Sequence, residues 1–161
     1  MTRAMFVQVL ANIEGADLVA YRNTAPTFAD TSPTAWYFGA VEWAASQGLV
    51  SGTGNGDFAP NRPITRQEMA VLLNNFITSR NIALPQGATP AFTDQADISS
   101  WAADSVRAMQ AAGIISGHPD GSFAPTDTAT RAEVATIFAR FLEIADLPRR
   151  ENNGADNDNL D

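Results

Sequence analysis

Laid against itself at an offset of about 65 residues, the chain matches in fixed order, and such a repeat constrains the fold more than any other feature. Trp36 falls on Trp101, Gly48 on Gly113, Gly52 on Gly117, Gly56 on Gly121, Phe58 on Phe123 and Pro60 on Pro125. Thr65-Arg66 then falls on Thr130-Arg131, Glu68 on Glu133 and Phe76 on Phe141, while upstream Phe28-Ala-Asp30 matches Phe92-Thr-Asp94 at an offset of 64. The N-terminus carries part of the same pattern. Thr2-Arg3 aligns with Thr65-Arg66, and Val7, Val9 and Leu10 continue it as an apolar stripe.

Each full repeat reads as two helices around a glycine-rich loop. In the first, Ser32 is placed to cap a helix with Pro33 in its opening turn, where the missing N–H costs nothing. Trp36, Ala40, Val41, Trp43 and Ala44 then form one apolar face, and Gly48 ends the helix. Trp36 and Trp101 are accordingly expected in the core. The loops Gly52-Thr-Gly-Asn55-Gly56 and Gly117-His-Pro-Asp120-Gly121 contain Asn-Gly and Asp-Gly, which favour tight turns. Phe58 and Phe123 follow as core plugs. The second helix of each repeat opens with a capping box, Thr65-Arg-Gln-Glu68 and Thr130-Arg-Ala-Glu133. Met69, Leu72, Leu73 and Phe76, and Val134, Ile137, Phe138 and Phe141, keep the spacing of an amphipathic helix.

The expected divisions are a terminal helix of an incomplete repeat over 1–16, a repeat over 28–78, a linker over 79–91, a second repeat over 92–144, and an acidic, disordered tail over 148–161. The linker carries Pro85, Gly87 and Pro90.

Apolar residues make up 45% and charged residues 17%, a globular balance. The net charge of −8 comes from 18 acids against 10 bases, all arginine. Nucleic acid is a poor partner for such a surface, because that affinity rests on clustered Lys and Arg. Without cysteine, thiolate metal sites and disulfides are excluded. No apolar run reaches the roughly eighteen residues of a membrane span; the best, Trp36 to Val50, is broken by Glu42, Ser46 and Gln47. No secretion signal opens the chain, so an exported protein would need more than this segment.

Phe-x-Asp, a Trp with an Ala-rich helix, Gly-(Leu/Ile)-(Val/Ile)-Ser-Gly, Gly-x-Phe-x-Pro and Thr-Arg-x-Glu occur twice in that order, and the set resembles the S-layer homology domain. The resemblance implies an all-α fold: tandem helix–loop–helix repeats packed as a partial pseudo-threefold bundle, with short loop or hairpin elements between helices. It also implies a non-catalytic anchor outside the cell. Its partner would be an anionic secondary cell-wall polysaccharide, often bearing pyruvate ketals, or a glycan linked to peptidoglycan, held in grooves between copies. The family's Thr-Arg-x-Glu arginine corresponds here to Arg66 and Arg131, and to Arg3 in the partial copy. Met5 stands where the full copies have Glu, so the first helix lacks its capping box.

An Arg in the first turn of a helix opposes the helix dipole by ~0.3–1 kcal/mol, yet all three helices have one. Two explanations are open. A guanidinium beside free helix N–H groups makes a bidentate carboxylate receptor; or each Arg pairs with an acid of a neighbouring repeat and serves packing. On the first, Arg3, Arg66 and Arg131 bind the polymer, the loop N–H groups of Gly52, Gly56, Gly117 and Gly121 assist, and exposed edges of Trp36, Trp43 or Trp101 offer sugar rings a flat surface. Trp43, which has Ala108 as its counterpart, is either local packing or a groove contact. The acidic net charge then predicts modest, salt-sensitive affinity. A second function class is self-association through the same grooves, one copy completing the bundle of another.

Catalysis has little to draw on. The single histidine, His118, lies in a turn where the first repeat has Thr53, and Ser–His or Cys–His chemistry lacks its parts. Asp57, Asp120 and Asp127 are too sparse for a calcium loop. A carboxylate pair from Glu42, Glu68 and Asp104 is conceivable, but nothing sets them around a cleft. No cofactor or metal is expected.

Overall fold

The computed structural model describes residues 1–145; the tail expected over 148–161 lies outside them. Among the described residues there are five α-helices and no strand longer than an isolated bridge: α1 (Arg3–Glu14), α2 (Phe38–Ser46), α3 (Arg66–Ser79), α4 (Ser100–Ala111) and α5 (Arg131–Ala145). The fold is all-α, as the repeat requires.

The predicted caps are in place. Thr65 Oγ1 accepts from the Glu68 N–H (3.3 Å), while Glu68 accepts from the Thr65 N–H (3.0 Å). Thr130 and Glu133 do the same at 3.2 and 2.8 Å. Thr2 caps α1 alone, accepting from the Met5 N–H at 3.2 Å, because Met5 has no carboxylate to return. Gly48 and Gly113 follow α2 and α4 with φ of 69° and 72°, the left-handed geometry that ends a helix.

One expected element differs. The helix read from Ser32 and Pro33 begins only at Phe38; Ser32 to Tyr37 form turns, with the Ala35 N–H donating to Ser32 O (2.9 Å) and the Phe38 N–H to Ala35 O (3.1 Å). Trp36 therefore precedes the helix and stands 60% exposed. Trp101 does lie in α4, but the buried stripe there is Ala102, Ser105, Val106 and Met109, one position off, and Trp101 is 58% exposed. The tryptophan that is buried is Trp43, at 4%.

The three helices that follow a Thr-Arg pair meet around a common centre. Ile64 N–H donates to Met1 O (3.1 Å), Ala129 N–H donates to Ile64 O (3.0 Å), and the Met1 amino group donates to Ala129 O (3.4 Å). These equivalent residues close a ring of hydrogen bonds, which is the pseudo-threefold axis. Phe6 against Phe138 and Phe76 against Phe141 fill the space behind it, with ring centroids 5.2 and 6.1 Å apart. α4 packs along α3, where Asn74 Nδ2 donates to Ser105 Oγ (3.2 Å) and Gln67 Oε1 accepts from the Ser99 N–H (3.0 Å).

The Phe-x-Asp motif organises each loop. Asp30 takes the N–H groups of Phe58 and Ala59 on its two oxygens, both at 2.7 Å, and Asp94 takes those of Phe123 and Ala124, again both at 2.7 Å. Ala59 and Ala124 adopt positive φ, 58° and 53°, and the bidentate carboxylate holds them there. The Asp94 pKa lies below the usual carboxylate range, because these N–H bonds outweigh the opposing effect of burial, the largest single influence. Phe28 and Phe92 of the same motif lie against Phe58 and Phe123. They also press on the loop backbone: a Cβ on Gly117 would sit 2.6 Å from Ser122 O and 2.8 Å from the Phe92 ring.

Candidate functional site: two grooves between neighbouring helices

Each Thr-Arg arginine of α1 and α3 reaches into the following loop, not into open solvent. Arg3, 5% exposed, donates from Nε to Phe58 O (2.8 Å) and from Nη1 to Glu68 Oε1 (3.1 Å), with its guanidinium 4.8 Å from the centre of the Phe58 ring. Arg66, 4% exposed, repeats this one copy later: Nε to Phe123 O (2.7 Å), Nη1 to Glu133, and the Phe123 ring at 5.1 Å. The capping glutamates of α3 and α5 are thus the ion-pair partners of the arginines of α1 and α3. Of the two explanations for these arginines, pairing with a neighbouring acid is present in the structure.

The electrostatics follow from that sharing. Burial works to raise the Glu68 pKa, but hydrogen bonds from Arg62 and Thr65 and the charges of Arg3 and Arg62 hold it below the ordinary value. Glu133 is likewise lowered: burial opposes, and the Thr130 hydrogen bonds and the charge of Arg66 prevail. Burial depresses the Arg3 pKa, and the charge of Glu68 restores part of it.

Packing uses only part of each guanidinium, and a groove opens on the other side. The first groove, about 520 Å³, has Arg3, Arg62 and Glu68 at one end, Ser51, Gly52 and Thr53 along the loop, and Val71, Leu72 and Asn75 of α3 with Trp101 across from them. The second, about 310 Å³, is bounded by Arg66 and Glu133, by Ser116, Gly117 and His118 of the loop, and by Thr136, Ile137 and Arg140 of α5. Much of the lining corresponds position by position, but Trp101 has no counterpart in the second groove, and Arg62 is replaced by Asp127, which does not line it. Arg66 Nη2 donates to Ser116 O at 3.3 Å, whereas Arg3 Nη2 makes no hydrogen bond among the described residues.

The other expected site residues divide sharply. Gly52 and Gly117 border the grooves. Gly56 and Gly121 do not: they form the outer turns, where their carbonyls accept from the Ala29 and Thr93 N–H groups (both 3.0 Å). Trp43 is enclosed in the core and cannot touch a ligand, which corrects its assignment as a groove contact. Arg131 is exposed and forms no ion pair among the described residues. Trp101, for which both packing and a sugar-stacking surface were open, borders the first groove, and residue-type reasoning missed Asn75 and Arg140. The signal available for the last two was their offset of 65 on the polar edge of repeated helices.

Carboxylates suited to hydrolysis are not gathered. Glu42 is buried and occupied by Thr27, accepting from its N–H (3.0 Å) and its hydroxyl (2.6 Å); Glu68 is a cap; Asp104 faces solvent beside Arg107 at 3.6 Å. His118 is exposed at the mouth of the second groove. No cluster of potential metal ligands occurs among the described residues, and none of their helices is long and apolar enough to cross a membrane.

The S-layer homology domain pattern matches residues 27–70 and 91–135, more than half of the chain. The chain belongs to the S-layer homology domain family. Similar proteins include cell surface glycoprotein 1 of Acetivibrio thermocellus, 32% identical over 91% of this chain and 7% of that protein. The exoglucanase XynX of the same organism is 37% identical over 89% of this chain and 13% of its own length. A cellulosome-anchoring protein, also from that organism, is 33% identical over 91% of this chain and 33% of its own length. The chain thus spans a third or less of these relatives. With the exoglucanase it shares the S-layer homology part and not a catalytic one.

Proposed function

We propose that this chain is a non-catalytic anchor that holds a protein on the outside of a bacterial cell by binding an anionic secondary cell-wall polysaccharide in its two grooves. The observation that carries this reading is the duplicated site itself: a buried guanidinium with its outer edge turned to a groove, beside a loop in which Gly52 or Gly117 borders the opening. A guanidinium fixed by a carbonyl, a carboxylate and an aromatic ring loses little freedom when a further acceptor arrives. Relatives named for the cell surface and for cellulosome anchoring support the same role. The copies are 28–78 and 92–144 with a linker at 79–91, and α1, within 1–16, is the closing helix of a third copy. Arg3 and Arg66 are the arginines whose outer edges border the grooves, and pyruvate ketals are the acidic groups of the polymer.

Sedimentation of the chain with purified wall polymer, before and after mild acid removes the ketals, tests this. Binding that falls on removal is the expected result. Equal binding to both preparations overturns the acidic ligand, and no binding to either overturns the anchor.

A second reading is favoured by one observation, the exposure of Arg131 where Arg3 and Arg66 are buried. Another copy of the chain could offer Arg131 a loop, and the bundle would then be completed by self-association. A molecular mass that stays monomeric across a wide concentration range argues against it.

A further inference from the structure

The two grooves correspond in position but not in chemistry, and one pair of equivalent residues differs in charge. Asn75 on α3 donates from Nδ2 to Leu49 O (3.1 Å), and at the equivalent place on α5 Arg140 donates from Nη1 to Ile114 O (3.4 Å). A neutral amide and a guanidinium therefore occupy the same station in the two copies, each reaching for the same loop carbonyl. The bonds of Arg140 to Ile114 O and to Ser116 Oγ (3.3 Å) are long, and it forms no ion pair among the described residues. In the first groove both guanidiniums are bound to one carboxylate, Arg3 and Arg62 converging on Glu68 at 3.1 and 2.5 Å.

The walls differ in the same sense. Leu72 and Ile137 match, but the first groove has Val71 where the second has Thr136, Thr53 where the second has His118, and the exposed Trp101 in addition. A flat indole beside an amide suits the apolar face of a sugar ring. A guanidinium free of carboxylate partners, in the smaller groove, suits a carboxylate, which it can take in a bidentate bond.

Resting on the wall-polymer reading, we propose that the grooves divide the ligand: Arg140 makes the second groove the reader of the acidic sugar, and the first groove takes an uncharged ring on Trp101. Successive units of one polymer then engage different grooves. Specificity for the acid resides in the second copy.

Calorimetric titration of the full chain with a pyruvate-ketal monosaccharide glycoside and with the same glycoside lacking the ketal tests the division. In the natural protein the ketal form binds more tightly. Arg140→Asn, which installs the residue of the first groove, is expected to weaken the ketal form by about tenfold or more, the loss of a charge-assisted hydrogen bond, and to leave the ketal-free form unchanged. Trp101→Ala is expected to do the reverse. Adding Asn75→Arg to Arg140→Asn should restore preference for the ketal form, now in the first groove; because this variant gains binding, it separates a ligand contact from a folding defect. Unchanged discrimination in Arg140→Asn, with wall-polymer binding intact in the natural chain, overturns the division alone. If the natural chain binds neither the polymer nor either glycoside, the anchoring reading fails with it.

Discussion

The starts of α3 and α5 carry nearly the same four residues, Thr-Arg-Gln-Glu and Thr-Arg-Ala-Glu, and both form the capping box. Their arginines nevertheless have opposite environments. Arg66 is enclosed by Phe123, Glu133 and Ser116, whereas Arg131 stands in solvent. The threonine acts within its own helix, the glutamate both caps that helix and pairs with an arginine from the preceding copy, and the arginine acts on the next copy. The motif is therefore half local and half relational. Its second half gains meaning only where a following loop is present.

The largest consequence of that contrast is energetic. Arg66→Ala strips a buried ion pair, leaves Glu133 and Phe123 O without their donor, and is expected to cost about 3–5 kcal/mol in urea unfolding. Arg3→Ala belongs to the same range. Arg131→Ala should stay within about 0.5 kcal/mol, as an exposed substitution; an equal loss at Arg66 and Arg131 would break the comparison. Next in size is Gly117→Ala, which pushes a methyl group against Ser122 O and the Phe92 ring and should cost about 1–3 kcal/mol in the same measurement.

A smaller effect concerns acid. Glu68 has a folded pKa below its unfolded value of about 4.3, so the stability it contributes is complete above that pH and is lost as pH falls through the folded value. Thermal unfolding followed from pH 7 down to 3 should show a decline below about pH 4.3 that is shallower in Glu68→Gln. A decline of the same steepness in that variant would remove Glu68 from the account. The least stability change is expected for Trp101→Ala, within about 0.5 kcal/mol because the indole is exposed. A larger loss would mean that Trp101 supports the bundle instead of a ligand.

Much of the fold was legible because its determinants are close in sequence. The capping boxes, the glycines after α2 and α4, and the apolar stripes of α3 and α5 each span fewer than ten residues. The role of Asp30 and Asp94 was hidden because their partners lie 28 to 30 residues on. The tryptophans were misplaced for a local reason. Counting a helical period from Ser32 put Trp36 inside, but the turns before Phe38 break that period, and Trp101 sits one position beside the stripe of α4. The arginines could be singled out from the dipole conflict they create. Which acid resolves it could not be read, since Arg3 and Glu68 are 65 residues apart. The grooves were invisible for the same reason, each being assembled from residues far apart in the chain.

The ring formed by Met1, Ile64 and Ala129 has a mechanical corollary. In a linear array of repeats each unit holds only its neighbours, and the ends can fray while the middle persists. A circle has no ends to fray. Withdrawing one member of this circle removes a hydrogen bond from both others, and at Ile64 or Ala129 it also disturbs the neighbouring pocket that shelters Arg3 or Arg66. Tension on such a tether would therefore be borne by all three segments together until they give way in a single event.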